Sequence, residues 1–407
     1  MPVAAELRAV ARRGRAYARR RRDARAVARL LTGRAPVAPG TVEVVVYFPD
    51  TAVNVYQVRQ WYEPLRRLAE DHPVAVVTRE PDATRVLLAE CPVPVVPIRN
   101  IAELERWLAA QEVALMLYVN QNANNFSAMR FAEPAHVFVS HGESDKAYMV
   151  SNQLKAYDAV MVAGQAAVDR IAEHVIGLPP ERLVRIGRPQ VDVEYAGPEL
   201  PHDGRTVVLY APTWEGDRPS MSYSSLASHG RAMVDALLTD PRFRVVYRPH
   251  PRTGVQSQET RAAHEDVARL IERANVADPS ARHLVDTATA FGWHLRAADV
   301  CVTDISAVAY DWLATGRPLL VTRPASPEAV LEGSPLVAAL PLVDAADSGA
   351  VVDLVTAAVA DDGASLRGLA EHYFGDTSVG SALTRFLEQA ASLVVARRET
   401  LKERAGA

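Results

Sequence analysis

The chain has 407 residues, of which 49% are apolar and 23% are charged. This length is too great for one hydrophobic core, and this composition is typical of a folded globular protein, which excludes a disordered or fibrous chain. No apolar run reaches the roughly 18 residues of a membrane span, and no signal peptide is evident. The net charge of −4 hides an asymmetry, because residues 1–34 hold eleven arginines against Glu6 and Asp23.

Residues 1–34 are predicted to form an Ala/Arg-rich helical arm of charge +9 on a body that carries the remaining −13. Such a basic helix can lie on an anionic membrane surface. Three alternatives are a helix that packs on the body or on a partner, a nucleic-acid-binding arm, and a transit peptide. The four arginines at 19–22 and the lack of serine argue against a transit peptide. We expect a membrane surface as partner and no nucleic acid. Residues 33–40 are predicted to be a linker, so the arm and linker together span residues 1–40.

The segment 41–190 alternates between strand-like and helix-like stretches, a pattern that predicts a parallel sheet with helices on both faces. It contains no G-x-G-x-x-G, so a dinucleotide site is not expected. Strands are predicted at 42–48, 73–77, 93–98, 113–118, 135–139 and 159–162, and helices at 57–70, 102–110, 124–131 and 165–173.

A second alternating segment, 205–380, follows a crossing rich in proline and glycine at 190–204, and a C-terminal helix is predicted within 381–407. Two α/β halves of this kind form a cleft between the carboxyl ends of their strands, where ligands bind. In the second half, strands are predicted at 206–210, 244–248, 282–285, 300–303 and 319–322, and helices at 225–238, 260–273 and 305–314.

Polar motifs follow several of these strands. His141 comes directly after a strand, beside Gly142, which permits a sharp turn, and near Lys146. Thr213 follows Pro212, which ends a strand, and presents a hydroxyl and an amide at the cleft edge. Each motif also has a purely structural interpretation, as a lone histidine or an ordinary proline turn.

The segment 247–252 reads Tyr-Arg-Pro-His-Pro-Arg. Its two prolines hold the backbone stiff around His250, between Arg248 and Arg252. Two guanidinium groups and an imidazole on a rigid turn suit phosphate oxygens. The alternative is a charged surface loop.

The stretch 301–323 predicts strand, turn, helix and strand, and its turn holds Thr303, Asp304 and Ser306. Free backbone N–H groups at a helix start favour an anion. Thr303 or Asp304 could instead cap the helix. No cluster with metal-ligand spacing stands out, so no metal site is predicted, and the sequence identifies no cofactor with certainty. The two cysteines, Cys91 and Cys301, are expected to be buried thiols in a reducing compartment.

Taken in order, these motifs resemble the CDP-glycerol glycerophosphotransferase family, the teichoic-acid primases and polymerases of bacterial envelopes. The resemblance covers roughly 137–380. The motifs that carry it are His-Gly at 141–142, Ile-Gly-Arg-Pro-Gln-Val-Asp at 186–192, Ala-Pro-Thr-Trp at 211–214, Arg-Pro-His-Pro at 248–251 and Thr-Asp-Ile-Ser-Ala-Val at 303–308. It implies a GT-B-like fold, with two Rossmann-like domains facing a cleft. It also implies transfer of glycerol phosphate, or a related polyol phosphate, from a CDP-linked donor to an acceptor hydroxyl, with release of CMP.

The resemblance also implies roles for single residues. His141 would activate the acceptor hydroxyl, and His250 would bind the diphosphate and stabilise or protonate the leaving CMP. Gly142 and Lys146 would lie on the acceptor side, in the first domain. The donor would be bound in the second domain by Thr213, Arg248, Arg252, Thr303, Asp304, Ser306, Gly375 and Asp376. Two departures from the family pattern are Glu143-Ser-Asp after His-Gly, and Ile305 and Ala307 in the last turn.

The acceptor implied by the resemblance is lipid-linked or polymeric. Together with the basic arm, this predicts a cytoplasmic enzyme, peripheral on the inner face of the plasma membrane. Two alternatives stay open: a GT-B glycosyltransferase or epimerase that uses a nucleotide sugar, because fold does not fix function, and a non-catalytic relative that retains the cleft.

Overall fold

The computed structural model describes residues 2–142, 150–287, 291–329 and 335–406. Within these residues the chain forms a seven-stranded and a six-stranded sheet. The first has the order β3-β2-β1-β4-β5-β6-β7, which adds one strand to the order of a Rossmann-type sheet. Its strands are β1 (Val44–Phe48), β2 (Val74–Thr78), β3 (Val95–Pro97), β4 (Leu115–Tyr118), β5 (Ala135–Phe138), β6 (Ala159–Val162) and β7 (Leu183–Arg185).

The six-stranded sheet has the order β10-β9-β8-β11-β12-β13. The strand pairs in both sheets are parallel. The carboxyl ends of the strands in each sheet therefore lie at one edge, and the loops that follow them are neighbours. The strands of this sheet are β8 (Thr206–Ala211), β9 (Phe243–Tyr247), β10 (Leu284–Val285), β11 (Val300–Thr303), β12 (Leu319–Thr322) and β13 (Leu342–Val343).

Each sheet separates two cores, because successive strand residues point to opposite faces. In β1, Val44, Val46 and Phe48 enter one core, whereas Val45 and Tyr47 enter the other. Helices cover both faces, so the strands are continuous apolar runs without polar alternation.

Helices of the first domain begin at recognisable signals. Pro81 occupies the first turn of α4, where its missing N–H is not needed, and the Asn100 side chain accepts from the Glu103 amide to cap α5. These helices are α1 (Pro2–Leu31), α2 (Val55–Arg59), α3 (Tyr62–Leu68), α4 (Pro81–Glu90), α5 (Ile101–Ala109), α6 (Asn125–Ala128) and α7 (Gln165–His174).

The last helix returns to the first domain. Phe386, Ala390 and Val394 are fully buried in the core that contains Val44 and Val46. The chain therefore crosses between the domains twice. The helices that follow α7 are α8 (Arg231–Thr239), α9 (Gln258–Ala277), α10 (His294–Ala297), α11 (Ala307–Leu313), α12 (Pro335–Ala339), α13 (Val351–Asp361), α14 (Arg367–Phe374) and α15 (Ser381–Gly406).

The basic arm is helical, as predicted, and its C-terminal half packs on the body. Asp23 and Val27 are buried, Asp23 lies 3.7 Å from Arg85, and Arg20 lies 3.3 Å from Glu80. No helix in the described ranges is long and apolar enough to cross a membrane.

The predicted two-sheet architecture is confirmed, with differences in single elements. The helix expected at 57–70 is two helices, and the second begins with Pro64 in its first turn, where proline is tolerated. The helix expected from 305 begins at Ala307. The sequence reasoning missed α4, β7, α10, β13 and the helices α12–α14. The domain boundaries at 40, 190, 205 and 380 stay predictions.

Candidate active site between the two sheets

His141 lies in a tightly held turn after β5. Ser140 adopts a left-handed conformation with φ +57°, which is uncommon for a residue with a side chain. Its carbonyl accepts the indole N–H of buried Trp61 at 2.6 Å. His141 Nδ1 lies 3.0 Å from the carbonyl oxygen of Val119. Because a carbonyl can only accept, Nδ1 carries the hydrogen and Nε2 is the nitrogen that can take up a proton.

His250 lies in the rigid turn after β9 and has the opposite arrangement. Its Nδ1 accepts the backbone N–H of Arg252 at 3.1 Å, so in the neutral ring the hydrogen is on Nε2. The ring stacks beside Trp214, with centroids 6.4 Å apart. The Arg252 guanidinium lies over the ring of Trp214, 3.6 Å from its centroid. This is a cation–π contact.

Arg248 is oriented by Asp286, which follows β10. The guanidinium donates to the Asp286 carbonyl at 2.9 Å and lies 3.8 Å from its carboxylate. Burial lowers the pKa of Arg248, and the nearby carboxylate acts in the opposite direction. Asp286 also lies 2.8 Å from His294 Nε2, and burial lowers the pKa of His294 to about 4. At neutral pH His294 is therefore uncharged. Of these two neighbours of Asp286, only Arg248 carries a positive charge that balances the carboxylate.

Asp304 lies beneath the site and does not line it. Its fully buried carboxylate accepts the backbone N–H of Thr213 at 2.7 Å, the N–H of Ser225 at 3.2 Å and the hydroxyl of Thr322 at 2.7 Å. Burial raises the pKa of Asp304 to about 6, although these hydrogen bonds act in the opposite direction. The Thr213 amide, expected at the cleft edge, is therefore used internally.

Thr303 is buried as well, and its hydroxyl donates to the carbonyl of Ala211 at 2.7 Å. Both Thr303 and Asp304 thus join β11 to the end of β8. The alternative that one of them caps the next helix is wrong, because Ser306 occupies the cap position of α11.

Ser306 is the member of this turn whose hydroxyl remains available. It is 7% exposed, and Ser306 Oγ has no hydrogen-bond partner among the described residues. The next residue faces the first domain: a Cβ added at Gly142 would lie 4.0 Å from Ala307 Cβ. The loop after β5 and the start of α11 are therefore neighbours across the cleft.

Arg188 joins the two domains at this point. It is buried, and its Nε donates to Asp311 Oδ1 of α11 at 2.6 Å. Its Nη2 donates to the His141 carbonyl at 3.2 Å and to Gln60 Oε1 at 3.1 Å, and its Nη1 donates to Gln190 Oε1 at 2.9 Å. One guanidinium thus holds the His141 backbone and the second domain together.

Glu215 ties the loop after β8 to the loop after β9. Its carboxylate accepts backbone N–H groups of Gly254 at 2.9 Å, Gln256 at 2.6 Å and Ser257 at 3.0 Å. Burial acts to raise the pKa of Glu215, but these backbone hydrogen bonds prevail and lower it. The segments that carry Thr213 and His250 therefore form one unit.

Two predicted site residues, Gly375 and Asp376, lie apart from this unit. Gly375 and Asp376 link α14 to α15, and the Asp376 carboxylate accepts from the Ser378 amide at 2.9 Å and the Ser378 hydroxyl at 2.6 Å. These two hydrogen bonds lower the pKa of Asp376, and the bond from the Ser378 hydroxyl contributes more than the bond from the amide. The Asp376 carbonyl accepts from Arg385 at 2.9 Å. Lys146 lies outside the described residues.

A polar pocket of about 550 Å³ opens beside Glu215, within the usual range of ligand sites, about 300–1,000 Å³. Its walls come from the loop after β8, the start of α9 and the loop after β12, and Ser224 connects it to Thr213 through a 2.9 Å hydrogen bond to the Thr213 carbonyl. In the described parts of the chain, no group of three or more His, Cys, Asp or Glu residues is arranged to hold a metal ion.

Sequence reasoning missed the residues that hold the motifs in place. Arg188 lies within the motif at 186–192, but nothing in the sequence distinguishes it, Asp286 or Glu215 as residues that hold the site. A charged residue in the middle of the apolar helix 307–313 was the one available signal for Asp311, because a buried charge needs a partner. The cysteines are partly as expected: Cys301 is buried and Cys91 is half-buried.

The fold and the site together define a two-domain transferase with Rossmann-like sheets on either side of a cleft. The family model described as CDP-glycerol:poly(glycerophosphate) glycerophosphotransferase matches residues 105–325, more than half of the chain. The chain belongs to this family and is a glycerophosphotransferase. No curated protein matches it.

Solved structures agree on the fold. The wall teichoic acid polymerase TagF, soaked with CDPG, has a TM-score of 0.57 at 14% identity, covering 89% of this chain and 90% of that one. A putative UDP-N-acetylglucosamine 2-epimerase from Listeria monocytogenes has a TM-score of 0.54 at 16% identity, covering 86% and 95%. A glycosyltransferase from Rickettsia africae has a TM-score of 0.50 at 11% identity, covering 88% and 98%. At these identities the likeness concerns the fold alone.

Proposed function

We propose that this enzyme moves glycerol phosphate, or a related polyol phosphate, from a CDP-linked donor to a hydroxyl of a lipid-linked or polymeric acceptor in teichoic-acid-like synthesis. The observation that carries the proposal is the opposite arrangement of the two histidines. His141 offers Nε2 as a base, whereas His250 offers an Nε2–H as a donor. A phosphoryl transfer needs both groups, one for the nucleophile and one for the leaving oxygen.

In the proposed step, His141 Nε2 removes the proton of the acceptor hydroxyl. The acceptor oxygen forms a bond to the phosphorus that carries the polyol, and the bond from this phosphorus to the bridging oxygen breaks. CMP leaves with that electron pair, and its new phosphate oxygen accepts a hydrogen bond from the N–H at His250 Nε2. The proton on His141 is then returned to solvent.

The donor would lie along the second domain. Arg248 and Arg252 supply positive charge at the diphosphate, and the Ser306 hydroxyl supplies a donor without an internal partner. The 550 Å³ pocket beside Glu215 has room for a nucleoside. Thr303 and Asp304 would act indirectly, by fixing the loops that carry Thr213 and Ser306. The positions of Gly375 and Asp376 favour a role in the turn before α15.

The proposal is tested by CMP release. Purified protein is incubated with CDP-glycerol or CDP-ribitol and a short poly(glycerophosphate) acceptor, with UDP- and GDP-sugars as rival donors. Wild-type protein should release CMP at a rate roughly 10²–10⁴-fold above His141→Ala, the range of a general base. The matched control is His174→Ala, which removes an exposed histidine of α7. Equal rates for wild type and His141→Ala, or turnover of sugar donors only, would contradict the proposal.

We also propose that α1 places the enzyme on an anionic membrane surface from the cytoplasmic side. The support is a set of exposed arginines on the face of α1 away from Asp23 and Val27, namely Arg15, Arg21, Arg22, Arg25 and Arg29. Each basic residue near such a surface contributes about 1 kcal/mol. Co-sedimentation with phosphatidylglycerol vesicles should fall sharply in the Arg21→Gln/Arg25→Gln/Arg29→Gln variant and in high salt. Unchanged sedimentation of that variant would argue for the alternative of a purely structural helix.

A further inference from the structure

A cluster of amide side chains lies beside His141 on the first domain. The catalytic step proposed above uses none of these side chains. The loop after β4 reads Asn120-Gln-Asn-Ala-Asn-Asn125. It begins directly after Val119, whose carbonyl binds His141 Nδ1. The amide cluster is therefore anchored to the same short segment that orients the proposed base.

Asp50 organises this cluster from the end of the neighbouring strand β1. Its Oδ2 accepts the side-chain N–H groups of Asn54 at 2.9 Å, Asn120 at 3.2 Å and Asn122 at 3.0 Å. Its Oδ1 accepts the Thr51 amide at 2.7 Å. Because Asn120 directs its nitrogen at Asp50, its amide oxygen points away from the carboxylate, whereas the amide oxygen of Asn122 accepts the backbone N–H of Asn124 at 2.9 Å.

Asn120 is the central member, and its amide orientation is fixed by two acceptors. Its Nδ2 donates to Gln57 Oε1 at 2.8 Å as well as to Asp50. The side chain is only 6% exposed, yet Asn120 Oδ1 has no hydrogen-bond partner among the described residues. A buried acceptor without a donor is destabilising by about 1–3 kcal/mol, so a purely structural amide would normally be satisfied. The orphan oxygen indicates a ligand that donates a hydrogen.

The charges around the cluster indicate which chemical group of a ligand would donate this hydrogen bond. None of the described hydrogen bonds that build it comes from a lysine or arginine, and the carboxylate of Asp50 lies at its centre. A phosphate or carboxylate would be repelled here. A neutral hydroxyl, which both donates and accepts, fits an amide oxygen beside a carboxylate.

Tyr56 connects the cluster to His141. Its ring is 46% exposed and lies edge-on to the His141 ring, with centroids 5.8 Å apart. Its hydroxyl accepts from Gln57 Nε2 at 3.3 Å. The exposed ring offers an apolar face to the carbon atoms of a polyol, next to the imidazole ring that would take its proton.

We infer that Asp50, Asn120 and Asn122, with Tyr56, form the acceptor subsite, which binds a second hydroxyl of the acceptor's terminal polyol unit while His141 deprotonates the first. The inference rests on the proposed function and deepens it, because it assigns the acceptor to a neutral polyol end. Asp50 and Asn120 position this end, and neither takes part in proton transfer.

The experiment measures CMP release at varied acceptor and varied donor for wild type and Asn120→Ala. Loss of one hydrogen bond should raise the acceptor KM about tenfold and leave the donor KM unchanged. Asn124→Ala is the matched control, since Asn124 belongs to the same loop but is exposed. A rise in the donor KM of equal size, or an unchanged acceptor KM, would overturn the inference.

A second measurement removes the hydroxyl from the ligand instead of the protein. An acceptor ending in propanediol phosphate lacks the second hydroxyl of a glycerol end. Wild type should use it with an acceptor KM about tenfold higher, and Asn120→Ala should show no further increase. This comparison on wild-type protein decides the question even if Asn120→Ala fails to fold, since equal use of both acceptors would overturn the inference. Absence of CMP release from wild type with every CDP-linked donor would instead contradict the proposed function itself.

Discussion

The two walls of the cleft hold their functional groups in different ways. On the first domain, His141 is fixed by a main-chain carbonyl and by an aromatic neighbour, in surroundings of amides and one carboxylate. On the second domain, His250 is fixed by a main-chain amide and is accompanied by Arg248 and Arg252. The first wall is thus built to accept a proton from a neutral group, and the second to receive negative charge. The contrast teaches how histidine can serve as a base on one wall and as a hydrogen-bond donor on the other. A backbone carbonyl at Nδ1 leaves Nε2 as an acceptor, whereas a backbone N–H at Nδ1 leaves the hydrogen on Nε2.

The same substitution at both histidines is the strongest test of this contrast. Glutamine cannot act as a base, so His141→Gln should lower kcat by roughly 10²–10⁴-fold. His250→Gln retains a side-chain N–H donor, and kcat should fall by about tenfold or less. Both effects are measured as CMP release at saturating donor. Equal losses at the two positions would show that the two rings do not have distinct tasks.

The contact that joins the walls should matter most for stability. Asp311→Asn leaves Arg188 buried without its carboxylate, and breaking a buried pair costs about 3–5 kcal/mol. The control is Glu63→Gln, which breaks the exposed pair with Arg66 and should change the free energy of unfolding by less than about 1 kcal/mol. Both variants are compared with wild type by denaturant unfolding. If Asp311→Asn lowered the free energy of unfolding no more than Glu63→Gln does, the pair between Arg188 and Asp311 would not stabilise the fold.

The buried carboxylate under the second wall predicts a pH dependence. The pKa of Asp304 is raised to about 6 in the folded protein, so its stabilising contribution is fully present below about pH 4 and is lost as the pH rises through 6. Asp304→Asn removes this titration, and its amide can donate to Thr322 while it accepts from Thr213. Between pH 4 and 7, the free energy of unfolding of wild type should fall relative to the variant by about 2 kcal/mol. A difference that is constant with pH would place the pKa near its ordinary value.

The smallest effect is expected from the exposed cation of the second wall. Arg252→Ala removes the cation–π contact with Trp214 and one positive charge near the donor. At an exposed position such a contact is worth about 0.5–1 kcal/mol, so the donor KM should rise roughly two- to fivefold while the acceptor KM is unchanged. Added salt should reduce this difference. An increase in the acceptor KM would show that Arg252 also affects acceptor binding, although the proposed acceptor subsite lies on the other wall of the cleft.

Much of the fold followed from the sequence because its signals are local. The valine-rich runs at 42–48 and 73–77 predicted buried strands within two residues of their observed bounds, and the alternation of strands and helices predicted both sheets. The short strands β7 and β13 were missed because two or three residues carry too little periodicity.

The site was predictable only in part. Rigid prolines and an exposed turn marked His250, and the end of a strand marked His141, whereas the partners of each residue come from distant segments. Thr303 and Asp304 looked like ligand-binding groups because a turn sequence does not reveal that their side chains face inward, toward β8. Arg188 and Asp311 are separated by more than a hundred residues, so their pairing could not be read from either neighbourhood.

The return of α15 to the first domain bears on how the protein is made. The first core needs Phe386, Ala390 and Val394, which emerge from the ribosome after the whole second domain. During synthesis, the domain that begins first is therefore the one completed last. Until then, the face of its sheet that α15 covers stays open to solvent, and a chaperone that shields apolar surface would act on this domain.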